Sequence, residues 1–198
     1  MSVYKKAKDL IDNQKYEDAV ELIKPLAQAG DREAQFLMGS LFQASADVEW
    51  SDSKRWLESA AKQDHPEAIY YLAITRFDSK KDAVMIGTCE SEDDRRAVYR
   101  AAELGSMNAQ RDLGCFLATG DNGFPKDEVE GRKWYSMAAQ QGHVDAQFNV
   151  GLMILLGEGG IGEVSKGISW LEKAAASNTL DPASESAAGV LADSYRQG

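Results

Sequence analysis

The sequence predicts an all-α fold, a solenoid of antiparallel helix pairs, and three observations predict it. Ala-Ala pairs recur at Ala60-Ala61, Ala101-Ala102, Ala138-Ala139 and Ala174-Ala175, at spacings of 41, 37 and 36 residues. An aromatic stands four residues before three of these pairs (Trp56, Trp134, Trp170; Ala97 takes the place in the fourth), and a Gly or its substitute follows three residues after (Asp64, Gly105, Gly142, Asn178). A new Ala then opens a stretch of the type A-x-x-x-L-G at Ala68, Ala109 and Ala146, with further copies at Ala34 and Ala187. A period of roughly 35 to 45 residues marks a helical solenoid. Such folds carry binding surfaces more often than active sites.

Each repeat reads as an A helix followed by a B helix. Counted from the repeat Ala, positions +4, +5 and +8 of the A helix share one face: Met38/Gly39/Phe42, Leu113/Gly114/Leu117, Val150/Gly151/Ile154 and Leu191/Ala192/Tyr195. Gly inside a helix is unfavourable by itself, so the +5 glycine is expected where a neighbouring helix approaches closely. Gly120, Gly157 and Gly198 at +11 are expected C-caps. The B helix carries the aromatic and the Ala pair (SKRWLESAAKQD, GRKWYSMAAQQG, GISWLEKAAASN). The ring and the tiny pair are expected to pack as knob and hollow. Gly30, Gly105 and Gly142 end B helices, with Asp64 and Asn178 standing in as tolerant of left-handed backbone.

These signals divide one continuous solenoid into a capping helix pair (1–33), repeats at 34–67, 68–108, 109–145 and 146–182, and a half-repeat (183–198). Three departures stand out. The connection 78–94 (DSKKDAVMIGTCESEDD) is long and reads as holding an extra helical turn. TLDPASES delays the last A helix to about Ser186, and Trp50 falls in a loop after an A helix, as a lid or an exposed anchor.

Net charge is −10 and the isoelectric point about 4.7. That argues against direct nucleic-acid binding, which draws on clustered Lys and Arg, and suits a basic protein partner. Cys89 and Cys115 fall at unrelated repeat positions and form no CxxC, as expected in a reducing compartment. The beginning, MSVYKKAKDLIDN, lacks the apolar segment of a secretory signal. The longest apolar run, Val150 to Leu156, is far short of the ~20 residues that span a bilayer. The expectation is a cytoplasmic protein with no membrane partner.

Little in the chain points to catalysis. Residues 157–162 satisfy G-x-G-x-x-G, but the dinucleotide fingerprint needs a strand before it. Here a helix precedes, so a plain A-to-B loop is expected. His65 and His143 occupy the repeat position held elsewhere by Asp31 and Ser106, and read as solvated loop residues. No H-E-x-x-H, G-x-S-x-G, Walker A or zinc-ligand spacing occurs. No catalytic residue, metal or cofactor is therefore expected. The acidic runs 90–94 and 127–130 precede B helices and suit their positive ends.

The phrases AQRDLGCFLATGDNGFPKDEVEGRKWYSMAAQQGHVDAQ and AQFNVGLMILLGEGGIGEVSKGISWLEKAAASN resemble Sel1-like repeats, relatives of the tetratricopeptide repeat. The resemblance implies a right-handed superhelical solenoid whose A helices line a concave surface. Positions +2, +6 and +9 point away from the face of the repeat Ala. The candidate partner-binding residues there are Phe36, Tyr70, Ile74, Phe77, Arg111, Phe148 and Leu152, with Trp50 as a peripheral anchor. Aromatics with Arg favour a protein interface. The alternative is that superhelical twist buries these rings between helices. The resemblance further implies a non-enzymatic bacterial protein that binds a protein partner, with a toxin-neutralising immunity protein for a basic toxin as a special case. A general scaffold in signalling or complex assembly is the alternative within that class. A solenoid-based hydrolase would need convergent titratable groups, and the sequence offers none at suitable spacing.

Overall fold

A computed structural model describes residues 2–44, 50–78, 83–86, 89, 91–177 and 182–197. The described residues form eleven α-helices and one hairpin, and the chain divides into two compact units, Met1–Leu104 and Gly105–Gly198.

The first unit holds α1 (Val3–Asp12), α2 (Tyr16–Gln28), α3 (Arg32–Ala44), α4 (Trp50–Ala61), α5 (Pro66–Ile74) and α6 (Glu92–Glu103), with a hairpin of β1 (Thr75–Asp78) and β2 (Ala83–Ile86) between the last two. The second holds α7 (Met107–Thr119), α8 (Glu128–Gln140), α9 (Val144–Leu156), α10 (Val164–Ala175) and α11 (Pro182–Gln197). Odd-numbered helices are A helices and even-numbered ones B helices, the all-α paired-helix class the repeats predict.

The A and B helices meet at the +5 glycine. A Cβ placed on Gly39, Gly114 or Gly151 would lie 2.6, 2.7 or 2.7 Å from the side chain of Leu57, Tyr135 or Leu171. All three of those side chains are buried. One turn earlier on the B helix stand Ser53, Gly131 and Gly167, which are also buried. A Cβ on Gly131 would meet the backbone nitrogen of Ala118 and the carbonyl of Gly114, both at 2.9 Å. Progress from Gly131 to Tyr135 thus runs back from Ala118 to Gly114, which is an antiparallel pair packed almost backbone to backbone. The knob in the hollow is the residue after the tryptophan, not the tryptophan. Trp56 instead packs against the cluster of Ala7, Ile23, Ala27, Ala34 and Leu37, and Trp170 against that of Tyr135, Ala138, Ala146 and Val150, so each indole reaches back to the preceding helix pair.

The caps follow the sequence. Gly30, Gly105 and Gly142 have φ of 94°, 97° and 100°, and Asp64 takes the same left-handed region at 57°. Gly120 and Gly157 cap α7 and α9 in left-handed geometry. Asn178 and Gly198 lie outside the described residues. Ser91 and Asp94 form a reciprocal capping box on α6, and Asp127 accepts from the Glu130 amide at 2.9 Å on α8, so the acidic runs do cap B helices.

Three expectations give way. The 78–94 connection contains no described extra helical turn. It carries β2, which pairs antiparallel with β1 at its start, Thr75 opposite Ile86 and Asp78 opposite Ala83, as suits the β-branched and apolar residues of AVMI. Trp50 starts α4 and is not in a loop. The last A helix begins at Pro182, ahead of Ser186, because Pro is well placed in a first helical turn, where its missing N–H goes unused.

Gly114→Ala should lower unfolding free energy by about 1–3 kcal/mol in urea denaturation, through overpacking against Tyr135. Adding Tyr135→Leu should recover part of the loss, a coupling that a double-mutant cycle reads directly.

Candidate protein-interaction surface

The candidate residues on the A helices divide by burial. Tyr70 and Ile74 are 3% and 2% exposed, within a helix where Ala68, Ile69 and Ala73 are buried as well. A helix that is apolar on every side becomes core, and PEAIYYLAI has no charge after Glu67. These two side chains therefore build the first unit and are closed to a partner. Phe77 lies on β1, not on the end of an A helix. The side chains of Phe77 and Trp50 fall outside the described residues.

Phe36 is half-buried. It stacks on the His65 ring (centroids 4.4 Å, 19°) and lies parallel to Tyr71 at 6.0 Å. It thereby joins the cluster around Ala34 and Leu37 to that of Leu57, Ala60 and Ala68. Phe148 is likewise half-buried, against Leu171, Ala174 and Ala187. Each ring spends one face on the joint between successive helix pairs. Arg111 and Leu152 are half-exposed, and Arg111 pairs with the buried Asp112 at 2.5 Å. Beside them burial pushes the Tyr135 phenol up, and the adjacent Cys115 adds to this.

The repeat position of the two histidines is an N-cap. Asp31 accepts from the Ala34 amide at 2.8 Å and Ser106 from the Ala109 amide at 3.0 Å. His65 Nδ1 accepts from the Ala68 amide at 3.3 Å. His65 is 5% exposed, which corrects its reading as a solvated loop residue. A capping Nδ1 leaves the proton on Nε2, which donates to Glu33 at 3.2 Å. That bond holds the Glu33 carboxyl down at about 2. Partial burial opposes it, and Lys8, 3.2 Å away, assists. His143 also stands at an N-cap, half-exposed, without a side-chain capping bond.

A second recurring feature went unrecognised in the sequence, although it is written there as the repeated AQ. Gln35 and Gln147, next to the repeat Ala, donate to the carbonyls of Ala27 and Ala139, each 3.2 Å away on the preceding B helix. Gln63 and Gln141 donate to Gln35 and Gln110 at 2.9 and 2.8 Å. They also donate to the carbonyls of Gly30 and Gly105 at 3.0 and 3.2 Å. Residues 157–162 are a loop between α9 and α10. Among the described residues no group of three or more His, Cys, Asp or Glu could hold a metal, and no helix is long and apolar enough to cross a membrane.

The Sel1 repeat matches residues 32–65, 108–143 and 144–178, more than half of the chain. The chain belongs to the Sel1 repeat family. Sel1 repeats form a non-catalytic protein-interaction fold. An uncharacterized protein of Neisseria meningitidis serogroup B is 29% identical over 183 residues, which is 92% of this chain and 35% of that protein. A Sel1 repeat protein from Oxalobacter formigenes has a crystal structure similar to this one, with a TM-score of 0.69 at 28% identity, over 91% of this chain and 49% of that one. The chain thus spans about a third to a half of these relatives. The immunity protein Pa5087 of Pseudomonas aeruginosa has the same fold at TM-score 0.55, with 16% identity over 98% of this chain and 80% of its own.

The Glu33 contacts are expected to make one joint of the first unit acid-sensitive. A carboxyl depressed from 4.5 to about 2 contributes stability in full above about pH 4.5, and that stability is lost as pH falls toward 2. Melting temperature followed from pH 6 to pH 2 should fall over that window, and Glu33→Gln should lower stability at pH 6 while flattening the acid-side slope.

Proposed function

We propose that this chain is a protein-binding module that captures a basic protein partner on its A-helix surface, and that the partner is a toxin it neutralises. The observation that carries the reading is Arg111 with Leu152 and the half-exposed face of Phe148, set on A helices of the second unit in a chain with net charge −10. Arg and aromatic side chains anchor interfaces, and net charge of opposite sign accelerates encounter with a basic partner. Family membership supports the binding role. An immunity protein among proteins of this fold supports the choice of a toxin as partner.

Affinity capture of the tagged chain from its native lysate, followed by mass spectrometry, tests the reading. One stoichiometric basic partner is expected, released by raised salt and toxic to cells that lack this chain. Leu152→Ser should weaken that complex by at least about tenfold, with the melting temperature little changed. An acidic partner, or nothing enriched over a control, would overturn the proposal.

A further inference from the structure

The two complete A-to-B loops of the second unit differ in what they do with one apolar side chain. Each begins at a left-handed glycine, Gly120 or Gly157, and carries a large apolar residue four positions on, Phe124 or Ile161. Phe124 folds back and stacks on Phe116 of α7 (centroids 5.2 Å, 23°), leaving it 4% exposed. Ile161 is fully exposed. The loop after Gly157 reaches its helix one residue sooner, at the N-cap Glu163, where the other runs to Asp127. Gly162 presses so closely on α9 that a Cβ there would lie 2.9 Å from the Ile154 side chain. Backbone thus lies against α9 at the very next residue, and the Ile161 side chain is turned out.

The loop that presents Ile161 is held in place. One guanidinium nitrogen of Arg132 donates to the carbonyls of Gly160 at 2.8 Å and Glu158 at 3.2 Å. A Cβ on Gly159 would lie 2.5 Å from the carbonyl oxygen of Glu128, so that glycine is pinned against α8. Ile161 stands over a cleft between α8, α9 and α10 with Val150, Ile154 and Trp170, and with Arg132 and Lys166 on its polar side. Leu156 and Val164, on either side of the loop, are exposed too. An exposed apolar cluster around a held loop marks an interaction site, and a loop backbone already fixed before binding loses little entropy in the complex.

Charge selects the occupant. Lys166 is paired with Glu163 at 3.2 Å. Arg132 has no carboxylate partner among the described residues and donates to neutral carbonyls. The charged side chains lining the cleft, Arg132 and Lys166 against Glu163, therefore leave an excess of positive charge, in a chain whose net charge is −10. We infer that this cleft is a second docking site, for a short segment of a protein partner that carries an apolar side chain and a carboxylate within two residues of it. The apolar group packs against Ile161, Ile154 and Trp170, and the carboxylate meets Arg132. The site lies on the A-to-B loop side and is independent of the A-helix surface.

Selection of a random peptide library displayed on phage against the intact chain tests this. The expected consensus pairs a large apolar residue with Asp or Glu at one or two positions' distance. A synthetic consensus peptide, titrated by fluorescence anisotropy, should bind at least about tenfold more weakly to Ile161→Asp and more weakly to Lys166→Glu, with affinity falling as salt is raised. Arg111→Ala on the A-helix surface should leave it unchanged. Both Ile161 and Lys166 are exposed, and a melting curve for each variant separates lost binding from lost fold. A basic consensus, no enriched peptide, or wild-type affinity in Ile161→Asp would overturn the inference, whatever the outcome at the A-helix surface.

Discussion

The approach of a B-helix side chain onto a glycine of its A helix is the contact from which the rest of each repeat follows. With no Cβ at Gly39, Gly114 or Gly151, the side chains of Leu57, Tyr135 and Leu171 lie directly on the partner backbone. Beside Leu57 and Leu171, the neighbouring Trp56 and Trp170 of the same B helices lie against the preceding pair. One residue therefore seals a repeat and the next joins it to its predecessor. The glycine lowers helix propensity by roughly 1 kcal/mol relative to Ala, and the packing it permits must offset that cost. The repeat at 68–108 has Ala73 and the smaller Val98 at the corresponding positions, both buried. The same repeat has Ala97 in place of tryptophan.

The joints between pairs are polar as well as apolar. Asp31, His65 and Ser106 close the first turn of their A helices from one repeat position, and Gln35 and Gln147 add a second bond to carbonyls at the end of the preceding B helix. A helix end buried without such partners would be costly. At His65 the joint adds a ring stacked on Phe36 and an acceptor in Glu33. A residue type associated with catalysis is here occupied in architecture, since both ring nitrogens are committed to hydrogen bonds.

With the repeated positions spent on packing, distinctive surface arises where copies diverge. Phe124 and Ile161 hold the same place in successive loops, yet one completes a core and the other faces solvent. On the A helices, Tyr70 and Ile74 are buried in α5, while Arg111 on α7 and Leu152 on α9 keep partial exposure. The accessible A-helix surface is thus smaller than the pattern of aromatics implies.

How much of this was legible varies with the range of the interaction. Periodicity, the Ala pairs and the glycines of positive φ are local or nearly so, and they sufficed for the fold class, the helix pairs, the caps and the Sel1 family. They also placed the +5 glycine at a close helix approach, because only proximity accounts for Gly within a helix. Which side chain fills that hollow depends on the rotation of one helix about another, and only the tertiary structure assigned it to Leu57, Tyr135 and Leu171 in place of the tryptophans. The same holds for His65, whose burial comes from Phe36 and Glu33, some 30 positions earlier in the chain. Hairpin pairing at 75–86 likewise rests on backbone partners that a search for helical period does not register. The sequence by itself determined what repeats and where each helix ends. Tertiary structure decided which faces of those helices remained at the surface, because exposure depends on neighbours that no local pattern contains.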